Sequence, residues 1–235
     1  MNTLKEQIRL AYPYRIELHA HTSPVSRCAD FAPAEVVRRY HALGADGIVI
    51  TNHAQPDARR MPQAEWVRYY CQDYHDACEE GKRLGMQVLL GMEVRFPQNN
   101  NDYLVYGVDE AFVAKAWEYL DTDLHTFYEA CRADDRVVVQ AHPFRNGMVL
   151  ADTADLDGIE VFNMHPGHNS RVALAARQQA ATGGIITGGT DFHHDGHEGG
   201  LLACTATLPQ DSYDLARMLK KGAYVLSIGN SIILP

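Results

Sequence analysis

What the chain lacks narrows it first. No run of about 18 apolar residues occurs, so no segment reads as a membrane span. The N-terminal stretch Met-Asn-Thr-Leu-Lys-Glu-Gln-Ile-Arg-Leu has no apolar core of the kind a secretory leader needs. Cys28, Cys71, Cys78, Cys131 and Cys204 are odd in number and form no C-x-x-C pair, which favours a reducing cytoplasm over a disulfide framework. Basic charge is short as well: 21 Lys and Arg stand against 30 Asp and Glu, and a net charge of −9 argues against a nucleic-acid surface. A metal cluster would still make a site locally cationic, so small anionic substrates stay open. No repeat, low-complexity tract or Pro/Gly/Ser linker divides the chain. Residues 1–235 therefore read as a single domain, with 46% apolar content to fill its core.

What is present is an alternation of strand and helix patterns. Apolar, β-branched runs fall at Arg15–Leu18, Gly47–Thr51, Gln87–Gly91, Tyr103–Tyr106, Arg136–Gln140, Gly158–Phe162, Gly184–Thr187 and Tyr224–Ile228. Helical spacing occupies Ala34–Leu43, Gln63–Leu84, Glu110–Tyr119, Leu124–Arg132, Ser170–Ala181 and Ser212–Lys221. The pattern predicts an α/β fold with a mainly parallel sheet, open or closed into a barrel.

The chain holds 12 histidines, and their positions are not random. His19 and His21 end the first strand as an i,i+2 pair. Alternate residues of an extended chain share a face, so both imidazoles converge on one point. His53 ends the second strand, Glu93 follows the third, His142 ends Val-Val-Val-Gln-Ala-His, and Asp191 and His193 form another i,i+2 pair. In parallel α/β folds the carboxyl ends of strands are where sites are built. Imidazoles and carboxylates gathered there can hold two or three divalent cations, with Glu93 able to bridge. His41, His75 and His125 lie in helical patterns and read as surface residues. His165, His168, His194 and His197 sit in loops at the same edge, each alone a bystander. Glu17 shares the strand face of His19 and reads as structural or supporting. Cys28 reads as a buried thiol rather than a soft-metal ligand.

Several segments together resemble the PHP (polymerase and histidinol phosphatase) family: His19-Ala-His21-Thr22, Ile50-Thr-Asn-His53, Gly91-Met-Glu93, Ala141-His-Pro-Phe-Arg145, Ile159-Glu-Val-Phe-Asn163 and Gly189-Thr-Asp191-Phe-His193. The resemblance implies a distorted (β/α)7 barrel, up to three metals (manganese, iron or zinc) and hydrolysis of phosphate esters. Carried over, it implies a first metal on His19, His21, Glu93 and Asp191. Glu93 would bridge to a second metal that also uses His142, and His53 and His193 would hold a third. Two departures stand out. The family often has Ser-Asp-Gly where this chain reads Ser26-Arg-Cys-Ala-Asp30, leaving one ligand of the third metal unassigned. Asp102 stands where many members have histidine, as a substitute ligand at the second metal. Asn52 replaces a common aspartate, which would alter a supporting hydrogen bond.

The expected reaction is hydrolysis of a small phosphate ester by metal-activated water. Arg145, beyond His142, is the candidate clamp for the anionic group. His193 or a loop histidine is the candidate proton donor to the leaving alkoxide, although a ligand histidine cannot readily do both. An amidohydrolase-like enzyme cleaving C–N or ester bonds, and a metal-stabilised module without activity, are the alternatives.

Overall fold

A computed structural model describes residues 3–235; Met1 and Asn2, which open the N-terminal stretch read above, lie outside the described residues. The chain begins with helix α1 (Leu4–Ala11), which is not among the helical runs given above and buries none of its residues. Thr3 and Glu6 close a reciprocal capping box at its start. Strand β1 (Tyr14–Ala20) follows, then α2 (Pro33–Ala42), which Pro33 opens as a first-turn proline. Next come β2 (Gly47–Ile50), the two-residue β3 (His53–Ala54) and the long α3 (Gln63–Leu84), ended by Gly85 at φ 73°.

The middle of the chain contributes β4 (Gln87–Leu90), β5 (Met92–Arg95), β6 (Asp102–Tyr106), α4 (Glu110–Trp117), α5 (Leu124–Cys131) and β7 (Val137–Gln140). Asp109 and Asp123 cap the two helices through their side chains. The last third adds β8 (Gly158–Asn163), α6 (Val172–Thr182), β9 (Ile185–Gly189), β10 (Leu202–Thr205), α7 (Ser212–Lys220), β11 (Tyr224–Ile228) and β12 (Ser231–Ile233). No helix among the described residues is long and apolar enough to cross a membrane.

The fold is mixed α/β, as expected, with a difference in how its strands join. The ladders form two six-stranded sheets, β12-β11-β10-β1-β2-β4 and β3-β5-β6-β7-β8-β9, rather than one continuous ring. The chain steps from one sheet to the other between β2 and β3 and again at Gly91, between β4 and β5. A parallel bridge from Ala20 to Phe192 joins β1 to the segment after β9. Parallel ladders link β1–β2, β2–β4, β3–β5, β7–β8 and β8–β9; the β5–β6–β7 and β1–β10–β11–β12 runs are antiparallel.

One core cluster takes Ile16, Leu18, Val49, Leu89, Leu104, Val139 and Leu226 from both sheets and closes against Leu215 and Leu219 of α7. A larger one packs Trp66 and Tyr70 of α3, Phe112 of α4 and Phe127 of α5 against the second sheet. These layers hold the strand ends in fixed register. The polar residues beyond them inherit that rigidity.

Candidate metal centre

Along β1 the buried side chains alternate between apolar Ile16, Leu18 and Ala20 and ionisable Glu17 and His19, with His21 just beyond. Glu17, His19 and His21 are fully buried. Glu17 accepts hydrogen bonds from the backbone N–H of His19 (2.9 Å) and of Thr190 (3.0 Å), and from the Thr190 hydroxyl (2.8 Å). It therefore ties β1 to the turn carrying Asp191, the supporting part expected of it. Gly189 makes that approach possible, since a Cβ there would lie 2.4 Å from the His19 Cβ.

Each imidazole of the pair is fixed by its Nδ1. His19 Nδ1–H donates to Glu160 Oε1 (2.9 Å), a carboxylate that can only accept. Asn52 Oδ1 accepts from the Thr22 backbone N–H (2.8 Å) and from the Ser26 hydroxyl (2.9 Å). With its proton given to Asn52, Ser26 Oγ accepts from His21 Nδ1–H (3.1 Å) and from the His53 backbone N–H (3.0 Å). Asn52 Nδ2 donates to Thr22 Oγ1 (2.7 Å) and to buried Asp73 (3.1 Å). Asn52 thus fills the supporting place in which aspartate was expected.

With each Nδ1 so committed, the Nε2 atoms are the ends the rings can offer a metal, and they face each other at 3.1 Å. Around them stand Glu93 Oε1 (3.3 Å from His19), Glu93 Oε2 (3.4 Å from His21) and Asp191 Oδ1 (3.4 Å from each). Both Glu93 oxygens are buried and, among the described residues, receive no well-aligned hydrogen bond. Buried acceptors converging without donors are costly unless a cation lies among them. Tetrahedral donors about 2.1 Å from a divalent ion are about 3.4 Å apart, so the spacing fits.

The neighbouring residues extend the cluster. His53 Nδ1 is 2.8 Å from Glu93 Oε2 without a hydrogen bond between them, and His142 Nε2 is 3.2 Å from Glu93 Oε1. Ligand-type atoms of three sets lie within 4.8 Å of one another: His19, His21 and Asp191; His21, His53 and His193; His53, Glu93 and Asp102. His193 Nδ1–H donates to the Asp191 carbonyl (2.8 Å), leaving its Nε2 free. Asp102 is held by a fork from Arg95, with both contacts at 2.7 Å, and lies 3.8 Å from His142 Nε2. His142 and Asp191 have φ of 30° and 51°, left-handed values that cost a non-glycine residue roughly 1–3 kcal/mol and concentrate at functional sites.

Charge follows the geometry. Burial opposes charge on His19, but Glu160, Asp191 and Glu93 outweigh it and raise its pKa well above the usual value. Burial and the nearby His193 and His53 push His21 well below it. Burial works to raise Asp191 as well, yet His19, His168 and His21 hold it well below the usual carboxylate range.

Four residues take places the sequence did not assign. Glu160, a ligand-type residue inside the family-like Ile159–Asn163 stretch to which the sequence gives no role, orients His19 and accepts from the His142 backbone N–H (2.9 Å) and from Asn163 Nδ2 (3.0 Å). Ser26, in the stretch that departs from the family pattern, orients His21. His168, read as a bystander, is buried at Nδ1 and stands 3.3 Å from Asp191 Oδ2. Cys28, read as a buried thiol, is instead exposed and lines the cavity above the cluster. Burial would raise its pKa, but the neighbouring His193 and His53 lower it to about 6. The helical histidines are exposed, His75 beside Glu110 (2.8 Å) and His125 beside Asp155 (2.7 Å). Arg145 lines the cavity and pairs with no carboxylate among the described residues.

A family model, the PHP domain, matches residues 17–223. The chain belongs to the PHP domain family. The match spans every residue of the cluster. The PolC-type DNA polymerase III of Latilactobacillus sakei is 27% identical over 137 residues, 58% of this PHP chain but 8% of that protein, so the chain spans less than a tenth of that relative's length. A two-domain Bacteroides vulgatus protein containing a predicted PHP-like metal-dependent phosphoesterase superposes with a TM-score of 0.62 at 14% identity, over 92% of this chain and 64% of that one. An amidohydrolase from Chromobacterium violaceum, with bound sulfate and no metal, gives 0.51 at 15% identity, over 78% of this chain and 89% of that one. These structural likenesses speak to the fold.

Proposed function

We propose that this PHP domain is a metal-dependent phosphoesterase that hydrolyses a small phosphate ester. The observation that carries the reading is a buried set of ligand-type atoms: His19 Nε2 and His21 Nε2 are 3.1 Å apart, and each stands 3.3–3.4 Å from a Glu93 oxygen and from Asp191 Oδ1. These four would hold one divalent ion. Glu93, His142 and Asp102 would hold a second, and His53 and His193 a third. Mixed imidazole and carboxylate donors suit manganese, iron or zinc. Such ions supply a water of near-neutral pKa and Lewis-acid stabilisation of the phosphoryl oxygens.

The chain's own residues do the rest. Arg145 binds the phosphoryl group, its planar fork matching two phosphate oxygens. Its loop is braced from outside, because Arg171 donates to the Phe144 carbonyl and to Asn146 Oδ1 (2.6 Å), one residue to either side. Glu160 and Ser26 keep His19 and His21 in the tautomers that aim Nε2 inward. His193 has a single free nitrogen. We assign it to ligation, not to protonating the leaving group, because one atom cannot do both.

Metal analysis of the purified chain, followed by a manganese-supplemented screen of phosphomonoesters and phosphodiesters beside amides and lactones, tests the proposal. Turnover of phosphate esters that a chelator abolishes supports it. Turnover of amides or lactones alone would replace it with an amidohydrolase, and bound metal with no turnover would make the domain a binding module.

A further inference from the structure

The cavity above the donor cluster, about 720 Å³, is lined by more positive charge than one phosphoryl group uses: Arg27, Arg60, Arg95 and Arg145 all face it. This is conspicuous in a chain of net charge −9. Arg95 is committed to Asp102. Among the described residues Arg27 pairs only with Asp57, at 4.0 Å between exposed side chains, a pairing worth little in water. Arg60, like Arg145, pairs with no carboxylate among the described residues. Of the cavity's other carboxylates, Glu93 and Asp191 are turned into the donor cluster.

These cations come from opposite sides of the opening. Arg145 follows β7. Arg60 belongs to the turn after β3, and Arg27 to the loop after β1. In the order β3-β5-β6-β7 the two strands of the second sheet are three spacings apart, about 14 Å along the sheet. On the Arg27 and Arg60 side the lining is apolar and aromatic: Val25, Ala58, Met61, Trp66 and Tyr69.

We infer that Arg27 and Arg60 form a second anion subsite, so the preferred substrate is a phosphate monoester whose alcohol portion carries another anionic group, phosphate or carboxylate, across an apolar spacer. The inference rests on the phosphoesterase reading. Water adds to phosphorus at the donor cluster, the P–O bond to the alcohol breaks, and the alcohol leaves protonated with its second anionic group unchanged.

The test uses probes that cannot be hydrolysed. Alkylphosphonates, ω-phosphonoalkanoates and α,ω-bisphosphonates of graded length, roughly three to six carbons, are titrated calorimetrically into the metal-loaded full chain. At some length a doubly anionic probe should bind at least about tenfold more tightly than the matching alkylphosphonate, the gain expected of a charge-assisted pair. The carboxylate and bisphosphonate arms show which second group is preferred. In R60A and R27A/R60A that ratio should fall toward one, and R60K should retain part of it. Equal affinity for singly and doubly anionic probes at every length would overturn the inference, as would a preference that survives R27A/R60A. A preference without hydrolysis of any phosphate ester would leave the subsite standing and remove the phosphoesterase reading. Hydrolysis of simple esters without the preference would do the reverse.

Discussion

His19 Nε2 and His21 Nε2 face each other at 3.1 Å, with each Nδ1 already committed as a donor, one to Glu160 and the other to Ser26. Two lone pairs at that separation require something positive between them. Without metal a proton can meet that need on His19, which Glu160, Asp191 and Glu93 raise against its burial, while burial, His193 and His53 lower His21. With metal the ion meets it.

Metal loading at neutral pH should therefore expel that proton. The direction follows from His19: its pKa lies well above 6.5 in the metal-free protein, so the site is protonated at pH 7, whereas ligation needs neutral imidazole. Titrating metal at pH 7 in buffers of different ionisation enthalpy should report about one proton released at the first site, and apparent affinity should fall as pH falls. Zero release would mean that the pair does not share a proton.

Glu160 and Ser26 should matter through tautomer and aim. E160Q and S26A are expected to weaken metal binding by about 10- to 100-fold while leaving every candidate ligand in place. Competition with a chelator of known affinity reads this out. Affinities equal to wild type would remove their positioning role.

Gly189→Ala should separate β9 from β1. The added Cβ would meet the His19 Cβ at 2.4 Å, a clash with no flexible end to yield. A loss of about 1–3 kcal/mol is expected, together with weaker metal binding as Asp191 is displaced. Denaturant titration and metal competition measure the two effects; a fully stable G189A that binds metal normally would contradict the packing described.

Away from the site, Glu80 gives a pH signature. Hydrogen bonds from Arg83 and then Arg38 lower its pKa from 4.5 to about 2. A lowered carboxylate stabilises the fold above its unfolded pKa, and that contribution is lost as pH falls from about 4.5 toward 2. The melting-temperature difference between wild type and E80Q should thus be largest at neutral pH and shrink across that window. A difference independent of pH would show that Glu80 is not stabilised by its charge.

Much of this was legible in the sequence for a definite reason. Strand alternation alone sends His19 and His21 to one side, and the carboxyl-end rule gathers Glu93, His142 and Asp191 with them. The α3 boundaries are those the helical spacing predicts, Gln63–Leu84. Other features depend on partners far along the chain. Glu160 looks like an ordinary strand residue until β8 brings it beside His19. Cys28 looks buried, but its loop is held over the cavity by hydrogen bonds from Ser23 N–H to the Phe31 carbonyl and from Asp30 N–H to the His193 carbonyl, both 2.9 Å. The division into two sheets is hidden in the sequence because β3 and β5 are short and begin just past the runs Gly47–Thr51 and Gln87–Gly91, where no separate strand pattern stands out. Strand β10 was missed for a related reason, four residues long just after Gly199 and Gly200.

The central claim is that buried donors on His19, His21, Glu93 and Asp191 bind metal. Its most direct test is metal content by mass spectrometry after loading with manganese, iron or zinc and removal of free ion, comparing wild type with H19A and D191A. Wild type should retain about two to three ions per chain, and each folded variant at least one fewer. A wild-type chain that retains no more metal than the variants would contradict the claim.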